Sequence, residues 1–142
     1  MPEPLLISPV TAPLNATVRP PGSKSITNRA LVCASLASGK SPLTGALQSD
    51  DTQVMITGLQ QFGIDIDIQE EGKTLLVHGT SGRLPALEAN LFCGNSGTTI
   101  RFLTAVATLG HGPFRLDGVS RMRQRPIGDL IKALSQLGAK VV

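Results

Sequence analysis

Three stretches of this 142-residue chain combine residue types that bind anions. The first is Pro20-Pro21-Gly22-Ser23-Lys24-Ser25-Ile26-Thr27-Asn28-Arg29. A glycine-containing turn that opens a helix presents free N–H groups at the positive end of the helix dipole. Ser23 and Ser25 add hydroxyl donors. Lys24 in a first helical turn opposes that dipole, so an anion is its natural partner. Arg29, about one turn further on, can add a bidentate fork. The spacing from Gly22 to Lys24 lacks the four-residue spacer of a Walker loop, which excludes a nucleotide P-loop. The plainer alternative is a Ser-capped helix with an exposed Lys.

The second stretch, Gly94-Asn95-Ser96-Gly97-Thr98-Thr99-Ile100-Arg101, repeats the design: a turn, hydroxyls, then an Arg early in a helix. Gly97 would let a ligand approach the backbone where a Cβ would intrude. Simple helix capping is the alternative. The third is Ser120-Arg121-Met122-Arg123-Gln124-Arg125-Pro126-Ile127-Gly128-Asp129. If extended, it would point Arg121, Arg123 and Arg125 to one side. Like charges that close repel, so a bound anion or an acidic neighbour would neutralise them. The Ser49-Asp50-Asp51 segment could supply that neighbour; a solvated basic loop is the alternative.

The elements that must position these groups follow from periodicity. Leu5–Ser8 and Leu14–Arg19 read as short strands separated by Pro9 and Pro13. A helix is expected from Ser23 or Ser25, with Ile26, Ala30, Cys33 and Ala37 on its buried face and Gly39 as its stop. A strand follows over Ser41–Leu47. Ser49 or Asp50 caps a second helix running to about Phe62, with Gly63 at its C-terminus. Ile64, Ile66 and Ile68 alternate with polar residues as a half-buried strand. Glu70-Glu71-Gly72-Lys73 turns the chain into a hairpin partner at Thr74–His78.

The pattern then restarts. Ala89–Cys93 reads as a strand. A helix follows with Phe102, Ala105, Val106 and Leu109 on one face and Gly110 as its stop, then a strand at Pro113–Leu116. Another helix runs from Pro126 to Leu137, ending at Gly138, and Lys140–Val142 begins a strand. Arg29 and Arg101 lie 72 residues apart at what reads as the same helix position, and Gly63 and Gly138 lie 75 apart. Leu59–Ile64 resembles Leu134–Ala139. The chain therefore reads as a repeated βαβαββ unit: unit 1 over about 22–88, and unit 2 over about 89–142, cut short.

Composition narrows the class. Hydrophobic residues make up 41% and the mean hydropathy is +0.14, which argues for a packed core over disorder. No apolar run approaches the roughly 20 residues that span a bilayer. Met1-Pro2-Glu3-Pro4 lacks the layout of a signal peptide, so the expected location is the cytoplasm. Cys33 and Cys93 have no Cys or His at ligand spacing, so no metal site is expected and both read as structural. The net charge of +3 is unevenly placed. Residues 50–71 hold six acids and no base, while residues 90–128 hold five Arg and one acid, Asp117. Four Phe, no Trp and no Tyr offer little for stacking nucleic acid bases, and no nucleic-acid-binding signature is present. A small phosphorylated or carboxylated ligand suits the basic half better.

Taken together and in order, these motifs closely resemble those of the 5-enolpyruvylshikimate-3-phosphate synthase family. They are Pro-Gly-Ser-Lys-Ser with Asn28-Arg29, Ser-Asp-Asp, Gly-Asn-Ser-Gly-Thr-Thr with Arg101, and Arg-Pro-Ile-Gly-Asp-Leu. The sister family, UDP-N-acetylglucosamine enolpyruvyl transferase, opens with a Gly-Ala-Lys-Asn type motif and usually carries a Cys in the loop that here reads Ser120–Pro126. That loop has no Cys, which disfavours the sister reading. A non-catalytic anion-binding module needing a partner chain is the other alternative.

The resemblance implies a mixed α/β (α+β) chain with the α/β-prism fold, here an incomplete N-terminal lobe of a larger, monomeric enzyme. It implies transfer of the enolpyruvyl group of phosphoenolpyruvate to the 5-hydroxyl of shikimate 3-phosphate, with release of phosphate and no metal or organic cofactor. Lys24 would contact both substrates and share in proton transfer. Ser25 and Arg29 would bind shikimate 3-phosphate. Asn95, the Gly97 backbone and Arg125 would bind phosphoenolpyruvate. Asp51 and Asn95 would orient Lys24, with Asp50, Thr98 and Arg101 in support. Gly at 97 in place of Ala implies sensitivity of the intact enzyme to glyphosate, which occupies the phosphoenolpyruvate place. In the family the first strand crosses to the other lobe. The 1–20 strand segment is therefore expected to belong to that lobe, or else to cover an exposed edge or pair with another chain. The 142 residues alone are expected to be inactive, because the second lobe supplies further acid–base groups and half of the anion clamp.

Overall fold

The computed structural model describes residues 5–72 and 74–142. Lys73 of the expected turn and Met1-Pro2-Glu3-Pro4 of the N-terminal segment lie outside the described residues. The elements, in chain order, are α1 (Lys24–Leu36), β1 (Ser38–Thr44), α2 (Asp50–Gln61), β2 (Ile66–Gln69), a 3₁₀ turn (Glu70–Gly72), β3 (Thr74–Thr80), β4 (Ala89–Phe92), α3 (Gly97–Ala107), β5 (Phe114–Asp117), the single turn α4 (Ser120–Arg123) and α5 (Gly128–Gln136). The chain has a mixed α/β fold.

β1, β3 and β2 form one antiparallel sheet with β3 in the centre. Ser38 faces Thr80, Thr44 faces Thr74, and Ile66 faces Val77. β4 and β5 pair in parallel, joined by α3 as the crossover, and Leu91 faces Leu116. One core spans both halves of the chain. Leu31, Met55, Leu59, Phe62, Ile64 and Val77 from the first half meet Leu91, Cys93, Leu103 and Val106 from the second. Phe62 and Phe114 meet edge to face, with ring centroids 5.2 Å apart and planes at 80°.

The helix termini follow sequence rules. Ser23, Ser49 and Ser96 cap α1, α2 and α3, each accepting a backbone N–H three residues on. Gly63 and Gly138 close α2 and α5 with φ of +85° and +95°, a region a side chain disfavours. The closing hydrogen bonds match: the Ile64 N–H donates to Leu59 O as the Ala139 N–H donates to Leu134 O, and the Gly63 N–H to Gln60 O as the Gly138 N–H to Ser135 O. The caps fall 73 residues apart (Ser23 and Ser96), so Arg29 sits one position further along its helix than Arg101. Their shared helix position is corrected by that one residue. Even so, each Arg donates Nη1 to the carbonyl four residues earlier, Ser25 O and Gly97 O, at 2.9 Å.

Several expected elements differ. Leu5–Ser8 and Leu14–Arg19 form no strand and residues 5–20 are exposed; among the described residues no strand pairs with them. Lys140–Val142 likewise forms no strand. α1 stops at Leu36, since Ala37 turns extended and leads straight into β1. Gly39 therefore lies within β1, which starts three residues before the expected Ser41. α5 starts at Gly128 and not at Pro126, whose carbonyl is taken by Arg101.

The largest correction concerns helix faces. α1 buries Thr27, Asn28, Leu31, Ala34 and Ser35, a face of small and polar residues. The apolar side expected inside is outside: Ile26 is 69% exposed and Cys33 is exposed. α3 buries Thr99, Leu103 and Val106, while Leu109 faces solvent. Val32, Cys33 and Leu36 of α1 face Phe102, Ala105, Val106 and Leu109 across an open apolar groove of about 310 Å³. Both helices carry apolar residues on two faces: periodicity selected the outer one for α1, whereas the face expected of α3 is divided, with Val106 buried, Phe102 and Ala105 half-buried and Leu109 exposed. Cys93 is buried between β4 and the following turn, and burial pushes its thiol up to about 11, in keeping with a structural role.

Candidate functional site

The N-termini of three helices and one loop converge on a single cleft. α1 brings Lys24 and Arg29, and the first turn of α2 brings Asp51. The Gly94–Ser96 turn with the start of α3 brings Asn95, Gly97, Thr98, Arg101 and Phe102, and the segment after α4 brings Arg125. Together these residues line an open cavity of about 580 Å³. Four cationic side chains face one carboxylate there, so the cleft has a net positive field.

Lys24 Nζ donates to Asp51 Oδ2 at 3.1 Å, with the two side chains 45% and 31% exposed. Lys24 opens α1 at the positive end of its dipole, and Asp51 supplies part of the negative charge that this placement demands. Asp51 itself lies in the first turn of α2, where a carboxylate is favoured. A hydrogen bond from Ser96 is the main influence holding the Asp51 carboxyl below its ordinary value. Desolvation opposes it, while Lys24 and the field of Arg125 add to it.

Arg125 and Arg101 crowd the N-terminus of α3. The place a Cβ would occupy on Gly97 lies 2.7 Å from Arg125 Nη1 and 3.2 Å from Arg101 Nη1. Arg101 is fixed by two carbonyls, Gly97 O at 2.9 Å and Pro126 O at 2.8 Å, and so ties α3 to the segment carrying Arg125. Arg29 lies over the Phe102 ring, its Cζ 5.6 Å from the centroid.

The structure thus brings together Lys24, Arg29, Asp51, Asn95, Gly97, Thr98, Arg101 and Arg125. Two expected residues do not line the cleft. Ser25 is exposed and gives its carbonyl to Arg29, and Asp50 is exposed at the start of α2. The Arg-rich stretch is not extended: Ser120–Arg123 forms a helical turn, so its three Arg diverge. Arg123 makes a two-pronged bond to Asp117, Nε to Oδ1 at 2.8 Å and Nη2 to Oδ2 at 2.7 Å. That fork, with the Gly118 N–H, brings the Asp117 carboxyl down to about 2. Asp117, not the Asp50-Asp51 pair, is the acidic partner of Arg123. Arg121 is exposed and Arg125 turns into the cleft.

Two residues of the site escaped sequence reasoning. Phe102 reads in the sequence only as one residue of an apolar helix face; its ring also lies under Arg29. Ser96 was one hydroxyl among several, and its position just before a helix start is the signal that marks it as a buried cap. Outside the cleft, His78 on β3 faces two carboxylates on the hairpin, Asp67 Oδ2 at 3.0 Å from Nε2 and Asp65 Oδ2 at 3.8 Å from Nδ1. Each ring nitrogen addresses a different carboxylate across the strand pair.

Comparison with known proteins accords with this arrangement. The family model for EPSP synthase (3-phosphoshikimate 1-carboxyvinyltransferase) matches residues 9–142. A 3-phosphoshikimate 1-carboxyvinyltransferase of Paraburkholderia phymatum is 50% identical over 127 residues, covering 89% of this chain and 29% of the relative. One from Rhizobium etli is 52% identical over 137 residues, covering 96% of this chain and 32% of the relative. The solved EPSP synthase from Acinetobacter baumannii superposes with a TM-score of 0.73 at 26% identity, over 84% of this chain and 27% of that one. The chain therefore spans about a third of the length of the curated relatives it matches. With the motifs in order, the cleft assembled from them and a family match running almost end to end, the chain belongs to the EPSP synthase family.

Proposed function

We propose that this chain carries the anion-gripping part of an enzyme that transfers the enolpyruvyl group of phosphoenolpyruvate to the 5-hydroxyl of shikimate 3-phosphate. The observation that carries the proposal is the convergence of Lys24, Arg29, Arg101 and Arg125 around Gly97 and Asp51 in one open cleft. Both substrates bear phosphate and carboxylate, so a site for them needs several fixed cations. The reaction adds the hydroxyl oxygen to C2 of phosphoenolpyruvate as the methylene carbon takes a proton. The tetrahedral adduct then loses phosphate and a methyl proton, which restores the enol ether. Lys24, held by Asp51, is the group of this chain placed to serve both substrates. Arg29 suits shikimate 3-phosphate. Arg125, with Asn95 and the backbone at Gly97, suits phosphoenolpyruvate. Ser25 reaches the ligand only by turning its exposed hydroxyl inward. The reaction as described requires no metal or cofactor.

On this reading residues 22–88 and 89–142 are successive copies of one repeat within a lobe, and residues 5–20 pair with backbone outside this chain. The protein works as a monomer in the cytoplasm. No described helix is long and apolar enough to cross a membrane. The cleft is open on one side, so the chain by itself grips the anions without completing the acid–base chemistry.

The test pairs calorimetric titration with an assay of phosphate release. The 142-residue chain is expected to bind phosphoenolpyruvate and shikimate 3-phosphate weakly, to ignore UDP-N-acetylglucosamine, and to release no phosphate. Failure to bind either substrate would contradict the assigned site. Turnover by the chain alone would contradict the need for further residues.

A further inference from the structure

Arg125 enters the anion cleft with Nη1 2.7 Å from the place of a Gly97 Cβ, and among the described residues no hydrogen bond or ion pair holds its guanidinium. Its aim therefore depends on the backbone that carries it. That backbone leaves α4, a single turn whose N-cap, Val119, supplies no side-chain cap. A lone helical turn costs more ordering than its first hydrogen bond offsets, so it needs anchors outside itself. At its start the Val119 N–H donates to Gly94 O at 3.0 Å. Gly118 permits that approach, since the place of its Cβ lies 2.6 Å from the same carbonyl and 2.8 Å from Met122 Cβ. At its end Arg123 donates Nε to Asp117 Oδ1 at 2.8 Å and Nη2 to Oδ2 at 2.7 Å, and the Gly118 N–H joins Oδ1 at 2.7 Å. Asp117 is a fixed post: it ends β5, and its carbonyl accepts the Cys93 N–H at 2.7 Å. Met122, 4% exposed, lies inside the closed loop, and its carbonyl accepts the Arg125 N–H at 3.0 Å. Beyond Arg125, Arg101 holds the Pro126 carbonyl at 2.8 Å.

We propose that Asp117 and Arg123 are positioning residues whose fork clasps the 118–124 loop shut and so aims Arg125 at the N-terminus of α3. Neither lines the cleft, so they act through the backbone that Arg125 shares with Arg123. An exposed ion pair adds little stability, but a two-pronged fork fixes orientation as well as distance. A role through charge alone makes the opposite forecast for one variant. Asp117 is an anion beside a cationic cleft, so by charge alone D117N would tighten anion binding; a lost clasp loosens it. That Arg125 meets phosphoenolpyruvate rests on the function proposed above; the clasp itself does not.

Two readouts on the wild-type chain, D117N, R123A and R123K test it. D117N keeps the shape of the side chain, and R123K keeps the charge without the fork. The first readout is amide hydrogen exchange, which reports local opening. The Met122 and Arg125 amides are expected to exchange about 2- to 5-fold faster in all three variants, the range for an exposed pair. The Ser81 and Arg83 amides, in a turn that opens without this loop, are expected to keep their rates. The second readout is the dissociation constant for phosphoenolpyruvate, with shikimate 3-phosphate as the control. Phosphoenolpyruvate binding is expected to weaken about 2- to 5-fold in each variant, while shikimate 3-phosphate binding holds. Unchanged exchange at Arg125 in D117N and R123A overturns the proposal. An equal rise at Ser81 and Arg83 also overturns it, because the pair would then be a general stabiliser. So does tighter phosphoenolpyruvate binding in D117N, or full retention of binding in R123K, either of which leaves Arg123 a charge and not a clasp. If the wild type binds no phosphoenolpyruvate, the functional reading fails, while the exchange rates still decide the clasp.

Discussion

The place a Cβ would occupy on Gly97 lies 2.7 Å from Arg125 Nη1. Gly97 is not among the glycines in the left-handed region, so its backbone tolerates a side chain. What it supplies is room. Gly97→Ala should therefore leave the fold intact, and even favour the first turn of α3, while pushing the Arg125 guanidinium outward. The expected result is an unchanged or higher melting temperature with phosphoenolpyruvate binding weakened about 10-fold, the scale of one charged hydrogen bond. Calorimetry on the two proteins checks both halves. In the intact enzyme the same crowding should lower sensitivity to glyphosate.

Asp117 and Arg123 give an acid-stability signature. The Asp117 carboxyl is brought down to about 2, chiefly by the Arg123 fork. A depressed folded-state value stabilises the protein above the ordinary value of 3.8, and that contribution is lost as pH falls through about 2. Arg123→Ala should move the Asp117 midpoint up toward 3.8. Because the pair is exposed the stability difference between the two proteins should be small, at its largest above about pH 4 and vanishing as pH falls through about 2. A pH series of urea melts reads this directly.

The two cysteines should differ sharply toward maleimide. Cys33 lies exposed on the wall of the α1–α3 groove, whereas Cys93 is buried with its thiol pushed up to about 11. One label per native chain, at Cys33, is expected, and two after denaturation. Mass spectrometry of the labelled peptides checks the assignment.

Phe62→Ala should be the most damaging of these substitutions. The ring is fully buried and meets Phe114 edge to face across the two halves of the chain. A loss of about 3–5 kcal/mol is expected, enough to unfold a marginal domain. Phe62→Leu, which keeps much of the volume, should retain the fold with a lower urea midpoint.

The local punctuation of this fold was legible in the sequence because it rests on short-range chemistry. Ser23 and Ser49 cap where a Ser precedes an apolar period, Gly63 and Gly138 close helices in the left-handed region, and Ile64 with Ile66 marks the inner side of a strand. The anion motifs were legible because Lys and Arg beside Gly-rich helix starts have few other uses. What stayed hidden depends on the third dimension. Ile26 and Cys33 are as apolar as a core face, yet α1 packs inward through Thr27, Asn28 and Leu31. Leu14–Arg19 has strand-like residues but meets no strand among the described residues. Arg121, Arg123 and Arg125 alternate in sequence, yet one helical turn sends them three ways and gives Arg123 to Asp117.

The most direct test of the account is residue-resolved NMR of the labelled chain titrated with each substrate. Phosphoenolpyruvate is expected to shift Asn95, Gly97, Thr98 and Arg125, shikimate 3-phosphate to shift Ser25 and Arg29, and both to shift Lys24. Shifts confined to other basic residues, such as Lys40 or Arg115, or no shifts at millimolar substrate, would contradict it.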